Sequence, residues 1–509
     1  MNLKLQNLIL PVVLILATSG TVFSQSQNRP TSPVPAQNQL AEIVKLVESK
    51  QFNEAETRLK KILQKSPRDF NARTLLGIVY SETNQLDAAE KEYRTALQIN
   101  PKFETAANNL AMIYVARGES KKALPLLEKS NGITAANKTP NSKDLALLFA
   151  LAKTYALEKK PIELGRTIDY IETLGGSDAR VSFTLGLTLA QAGEYERAAG
   201  LFEKVNAARP NTVEVLYNLG VAYYNTDKLD AARAALLQVV AINPNAPEAF
   251  YRLGLIASAK NDAENAFRFW LKALELKPEY AEVNFLIGEE LRKQKKYAGA
   301  LPFYEKAVAQ NAENPLYQLR LGVAYFRVQR YGLAGGVFER MLEKYPNDFN
   351  FNYLEGYVAR NQGLYNKAIE AFEKADKISP NNPDVLSSLG FIAFQRGEVE
   401  KAEQILRRTL QLDPKNFSAH YDLGRLLVSK HRYDEALPVL ERGVTINKND
   451  PSTRYQLFLV YSRLKQKEKA DQSLAEFKRL EKEFNRGADA ANADDQNPNL
   501  PEKLENPKP

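Results

Sequence analysis

The sequence predicts an all-α fold of tandem helical hairpins stacked into a solenoid, and three observations carry that expectation. A glycine recurs every 34 residues, at Gly186, Gly220, Gly254, Gly288, Gly322, Gly356, Gly390 and Gly424. An alanine follows twelve positions later in twelve of thirteen units, and a proline closes most units. Composition agrees with a folded chain: of 509 residues, 44% are apolar and 26% charged, far from the polar bias of disordered segments.

In chain order, residues 1–24 read as an export signal. Lys4 supplies a positive start, Leu8 to Leu16 an apolar run, and Val22 and Ser24 a small-residue exit before Gln25. The apolar stretch contains Pro11 and falls short of the roughly 20 residues that span a bilayer, so cleavage into the periplasm or medium is expected. The alternative is an N-terminal membrane anchor. Residues 25–38, rich in Gln, Ser, Pro and Asn, read as a flexible linker. No later stretch is long and apolar enough to span.

The repeats follow. Residues 36–144 hold the first three and residues 145–484 the remaining ten, with an extended loop at 131–142 that stretches one spacing from 34 to 41 residues. The glycine frame passes through Ile43, Gly77, Ala111 and Ala152 at one end and Phe458 at the other. The alanine series runs from Ala55 and Ala89 to Ala436 and Ala470, broken only by Leu164. A large apolar residue comes four positions later, as at Tyr93, Phe202, Trp270, Tyr304 and Phe338. Glycine and alanine belong where two amphipathic helices approach most closely, and the large residue fills the space beside them. Prolines such as Pro67, Pro101 and Pro414 end the second helix. A lone hairpin cannot bury its apolar face, so neighbours must stack. Residues 485–509, rich in Asn, Asp, Ala and Pro, are expected to be disordered.

This Leu-Gly-x-x-Tyr…Ala…aromatic…Pro pattern resembles the tetratricopeptide repeat family over roughly residues 36–484. The resemblance implies a right-handed superhelix of about thirteen repeats, used for binding other molecules. It also implies that positions 2, 5, 9, 12 and 13 of each first helix line a concave groove.

Residues for catalysis or metal binding are scarce. There is no cysteine, and the two histidines, His420 and His431, read as surface residues. No phosphate-binding loop or nucleophile elbow occurs. No enzyme activity, cofactor or metal is expected. The net charge of +8 is modest and spread along the chain, so no nucleic-acid partner is expected either.

The groove positions implied by the resemblance are distinctive. Position 5 carries Phe149, Phe183, Tyr217, Tyr251, Phe285, Tyr353, Tyr421 and Tyr455. If these rings face open space they form an apolar stripe for peptide anchors or for stacking on sugars. The later repeats add Arg292, Lys293, Arg327 and Arg360 at positions 12 and 13, and Arg425 at position 9. Forked guanidiniums suit an acidic partner segment. The Lys and Asn clamp that some family members use on chaperone tails is missing. So is the position-6 asparagine ladder of sugar-transferring relatives, of which only Asn109 and Asn218 remain. The sequence therefore predicts an exported adaptor for protein or peptide segments. The alternative is a glycan-binding accessory of cell-envelope polysaccharide assembly or export.

Overall fold

The computed structural model describes residues 34–175 and 177–490. The expected export signal lies outside them. Among the described residues there are 26 helices and no strand, and the chain divides between Ile256 and Ala257 into two compact units.

The first unit begins with three hairpins: α1 (Val34–Glu48) with α2 (Phe52–Lys65), α3 (Phe70–Glu82) with α4 (Leu86–Ile99), and α5 (Glu104–Ala116) with α6 (Ser120–Ser130). Next come α7 (Leu145–Leu157) with α8 (Pro161–Gly175), α9 (Ala179–Gln191) with α10 (Tyr195–Ala208), and α11 (Val213–Asn225) with α12 (Leu229–Ile242). Helix α13 (Pro247–Ala259) carries the division in its last turn, and α14 (Ala263–Leu276) follows.

The second unit continues with α15 (Ala281–Lys293) and α16 (Tyr297–Gln310), α17 (Pro315–Arg327) and α18 (Tyr331–Lys344), then α19 (Phe349–Asn361) and α20 (Tyr365–Ile378). It ends with α21 (Pro383–Gln395) and α22 (Val399–Leu412), α23 (Phe417–Ser429) and α24 (Tyr433–Ile446), then α25 (Pro451–Arg463) and the long α26 (Lys467–Ala490). Helix α1 starts inside the segment read as linker, and α26 runs past residue 484 into the segment read as tail.

Each hairpin is closed by the same chemistry. Gly77 faces Tyr93 so closely that a Cβ at Gly77 would lie 2.5 Å from the ring, and Gly186 faces Phe202 in the same way at 2.7 Å. The twelve repeat alanines are buried, and an added methyl there would push the paired helices apart. All thirteen hairpins turn on one residue at positive φ, seven positions after the glycine frame. Four are glycines (Gly118, Gly193, Gly363, Gly397), and the others include Asn84, Asp227, Gln329 and His431. The following N–H reaches back five residues to a helix carbonyl, as in Gln85 to Tyr80 at 2.7 Å, which satisfies the helix end. His431 is therefore a turn residue; its Nδ1 lies 2.8 Å from the Tyr433 hydroxyl.

Many first helices start on side-chain caps. Asp69, Asp144, Asp178, Asn314, Asp348, Asn382, Asn416 and Asp450 each accept backbone N–H groups of the first turn, a contribution of about 1 kcal/mol each. Most second helices stop before proline: α2 ends at Lys65 ahead of Pro67, and α22 at Leu412 ahead of Pro414. Residues 131–144 form a folded loop. The buried Asn131 donates to the Leu127 carbonyl at 2.8 Å, and Asn137 Nδ2 donates to the carbonyls of Gly132 and Thr139.

Candidate functional site

The expected open stripe of position-5 rings is not what the fold builds. Tyr251, Phe285 and Tyr353 are buried, at 7%, 6% and 3% exposure. The reason is geometric. Position 5 lies one turn before the glycine, so its ring meets the large residue that fills the space beside that glycine. Phe183 packs on Phe202, Phe285 on Tyr304 and Tyr353 on Phe372, with centroids 5.6, 6.0 and 5.9 Å apart. Phe285 also stacks on Tyr317 at 4.6 Å and Tyr353 on Phe349 at 5.8 Å. Burial pushes the Tyr353 hydroxyl well above its ordinary range. Phe149, Phe183, Tyr217 and Tyr421 are half-buried, and Tyr455 is exposed.

The basic residues also divide. Arg327 is buried, with its guanidinium 5.4 Å from the Tyr297 ring centre, which corrects its expected place lining an open groove. Arg292 forks onto Glu289 at 3.0 and 3.1 Å. Glu289 also accepts the Tyr304 hydroxyl at 2.6 Å and pairs with Arg320 at 3.2 Å. Burial raises the Glu289 carboxyl, but Arg320, Arg292 and Tyr304 outweigh it and hold the group below its ordinary value. The cluster is a closed structural network. Lys293 is exposed and pairs with Glu290 at 2.9 Å.

Arg360 and Arg425 differ from these. Arg360 lies 4.1 Å from the Tyr357 ring centre and 5.0 Å from that of Phe391, and donates to the Ser388 hydroxyl at 3.4 Å. Arg425 sits between Phe394 and Tyr421 at 5.6 and 5.3 Å. Asp422, 5% exposed, lies 3.7 Å from Arg425. Burial pushes its carboxyl up to about 6, opposed by Arg360 and then Arg425. Arg360, Arg425, Phe391, Phe394 and Tyr421 are all partly exposed. Sequence reasoning singled out the arginines but missed Asp422, Ser388 and the two phenylalanines. The available signal was Asp422 one turn before Arg425 on α23.

Other sequence candidates resolve into structure. His420 is buried, with Nε2 3.1 Å from the Pro414 carbonyl, so it is a core residue and not a surface one. Burial lowers its imidazole. Among the described residues no group of three or more His, Asp or Glu is placed to hold a metal ion. Nor is any described helix long and apolar enough to cross a membrane.

Sequence profiles described as "Tetratricopeptide repeat" match residues 46–95, 189–254, 359–423 and 405–458; a second matches 248–315, 285–349 and 319–383, and a third 105–129. The chain belongs to the tetratricopeptide repeat family. It is 41% identical over 73 residues to the uncharacterized protein ycf37 of Pyropia yezoensis, covering 14% of this chain and 41% of that protein. It is 28% identical over 175 residues to cellulose synthase 1 operon protein C of Komagataeibacter xylinus, covering 34% and 13%. To anaphase-promoting complex subunit 3 of Schizosaccharomyces pombe it is 24% identical over 143 residues, covering 28% and 20%. The chain thus spans less than half the length of each of these curated relatives. Similar solved structures include the anaphase-promoting complex hetero-tetramer Cut9–Hcn1, at 14% identity and TM-score 0.40 over 86% of this chain and 92% of that one. Another is a repeat-containing protein of Cytophaga hutchinsonii, at 21% identity and TM-score 0.42 over 47% and 99%.

Proposed function

We propose that this tetratricopeptide repeat protein is an exported, non-catalytic adaptor that holds partner polypeptide segments along the first helices of its second unit. The observation that carries the reading is the partly exposed set Arg360, Arg425, Phe391, Phe394 and Tyr421. Arginine and tyrosine are among the residues enriched in protein-binding hot spots, and here the rings hold the guanidiniums in place. Scaffold use fits the family, and one relative is by name a subunit of a multiprotein complex. Export rests on Lys4, the Leu8–Leu16 run and Ser24.

Similarity to a cellulose synthase operon protein favours a second reading, a glycan-binding accessory of polysaccharide assembly. Sugar stacking needs free ring faces, and here Tyr357, Phe391, Phe394 and Tyr421 each lie against a guanidinium. That weighs toward polypeptide. Crosslinking in the native cell followed by mass spectrometry tests the proposal. Reproducible protein crosslinks on α19, α21 and α23 support it. Crosslinks confined to other faces, or none, overturn it.

A further inference from the structure

We propose that Arg360 and Arg425 form a binding site for one acidic side chain of a partner polypeptide, with Asp422 as a built-in competitor for the same guanidiniums. The inference rests on the adaptor reading above and names the chemistry of its contact.

Several arginines elsewhere in the chain are taken up by carboxylates. Arg117 bonds Glu90 and Asp87, Arg432 bonds Glu403 and Glu435, and Arg292 forks onto Glu289. In each, carboxylates take the guanidinium donors. Arg360 and Arg425 are instead positioned by rings, two apiece. A guanidinium has five N–H donors. Against these, Arg360 has the Ser388 hydroxyl at 3.4 Å, and Arg425 has an Asp422 oxygen at 3.7 Å, beyond hydrogen-bond range. Two cations thus share a single buried carboxylate, which leaves one net positive charge with one edge partly exposed. A second carboxylate would complete the charge balance, and the planar fork suits it. Phe391, Phe394 and Tyr421 give the flanking residues of an extended segment an apolar footing.

Asp422 sets the sensitivity of the site to pH. The charged groups that act on it are Arg360 from α19 and Arg425 from its own helix. Helix α21 contributes the neutral Ser388, with Asp384 at its start, and Asp450 at the head of α25 acts on Tyr421. When Asp422 takes up a proton as pH falls through about 6, both guanidiniums lose their internal counter-charge. A glutamate side chain of a partner, with an ordinary value near 4.3, is still largely ionised there.

The probe is fluorescein-labelled octaglutamate, with octaglutamine and an oligogalacturonate as companion arms, against the mature full-length protein. At about pH 7.5, R360Q and R425Q should each weaken octaglutamate by about tenfold, and D422N should tighten it several-fold. Wild type should bind more tightly near pH 5 than near pH 7.5, and D422N should lose most of that difference. Since D422N is expected to gain affinity, misfolding of an arginine variant cannot imitate the result. Equal binding by R360Q, R425Q and wild type, or no gain in D422N, overturns the site. Equal or tighter capture of oligogalacturonate overturns its assignment to polypeptide. Native-cell crosslinks that persist in R360Q and R425Q would sink this site alone, whereas loss of all crosslinks in wild type would sink the adaptor reading.

Discussion

The Tyr461 hydroxyl donates to Glu441 Oε1 at 2.7 Å, tying the last hairpin to the second helix of the one before it. The same bond recurs from Tyr80 to Glu56, Tyr114 to Glu90, Tyr155 to Glu128, Tyr223 to Glu203 and Tyr325 to Glu305. Each tyrosine sits three positions after the glycine frame, so the repeat places a phenol at the junction with the preceding hairpin. Because nearest-neighbour coupling holds such arrays together, these bonds act where cooperativity is decided.

Tyr325→Phe should therefore lower stability by about 0.5–1.5 kcal/mol, read from urea unfolding. Burial first, then the Glu203 and Glu305 carboxylates, push the hydroxyls of Tyr223 and Tyr325 up to about 12, against about 10 in the unfolded chain. The folded state holds these protons more tightly. Their contribution is complete below about pH 10 and lost as pH rises through about 12. Unfolding followed by tyrosinate absorbance should show that loss, and the double variant Y223F/Y325F should show less of it.

Gly186→Ala places a methyl against the Phe202 ring, where the built Cβ distance is 2.7 Å. The expected loss is about 1–3 kcal/mol, with hydrogen exchange rising first in α9, α10 and the adjoining hairpins. Ala111 and Ala152 occupy the same frame position opposite Leu127 and Ile168. Adding Phe202→Leu should accordingly recover part of the loss. An unchanged midpoint in G186A would contradict the close-approach account of the glycine.

The repeat was legible because close approach favours glycine or alanine, a preference that residue types record directly in all but Ile43, Leu164 and Phe458. The fate of the position-5 rings was not. A tyrosine can serve a core or a surface, and only the folded hairpin brings Tyr353 onto Phe372. The positive-φ turn was hidden for a related reason: only four of its thirteen occupants are glycine, while asparagine, aspartate, lysine, glutamine and histidine fill the others. The Asp422 site joins α19, α21 and α23, so a reading made repeat by repeat separates its members.

Asp422 should cost the fold stability at neutral pH. Its carboxyl is at about 6 when folded and near 3.9 when unfolded, so the unfolded chain ionises it more readily. D422N should be more stable than wild type at about pH 7.5, and the gap should narrow as pH falls through 6 toward 4. A gap independent of pH would mean that the carboxyl does not titrate in this window.

Export predicts a mature chain beginning near Gln25 in the periplasm or medium. N-terminal sequencing of protein from the native cell decides it. Substituting Asp for Leu14 in the apolar run should leave unprocessed protein inside the cell. Met1 intact on membrane-bound protein would indicate an anchor instead.

Tyr353 and Phe394 separate core from contact surface within the same unit. Tyr353 is buried against Phe349, Tyr357 and Phe372, so Tyr353→Ala should cost about 3–5 kcal/mol and weaken partner capture only through unfolding. Phe394 is partly exposed and holds one side of Arg425. Phe394→Ala should lower stability by no more than about 1–2 kcal/mol, because less apolar area leaves contact. Its larger effect should be on binding, by about tenfold or more if the ring is an anchor. Chemical denaturation and crosslinking yield, measured on both variants, distinguish the two roles. If Phe394→Ala binds like wild type while Tyr353→Ala loses binding without losing stability, the contact surface lies at Tyr353 and not at Phe394.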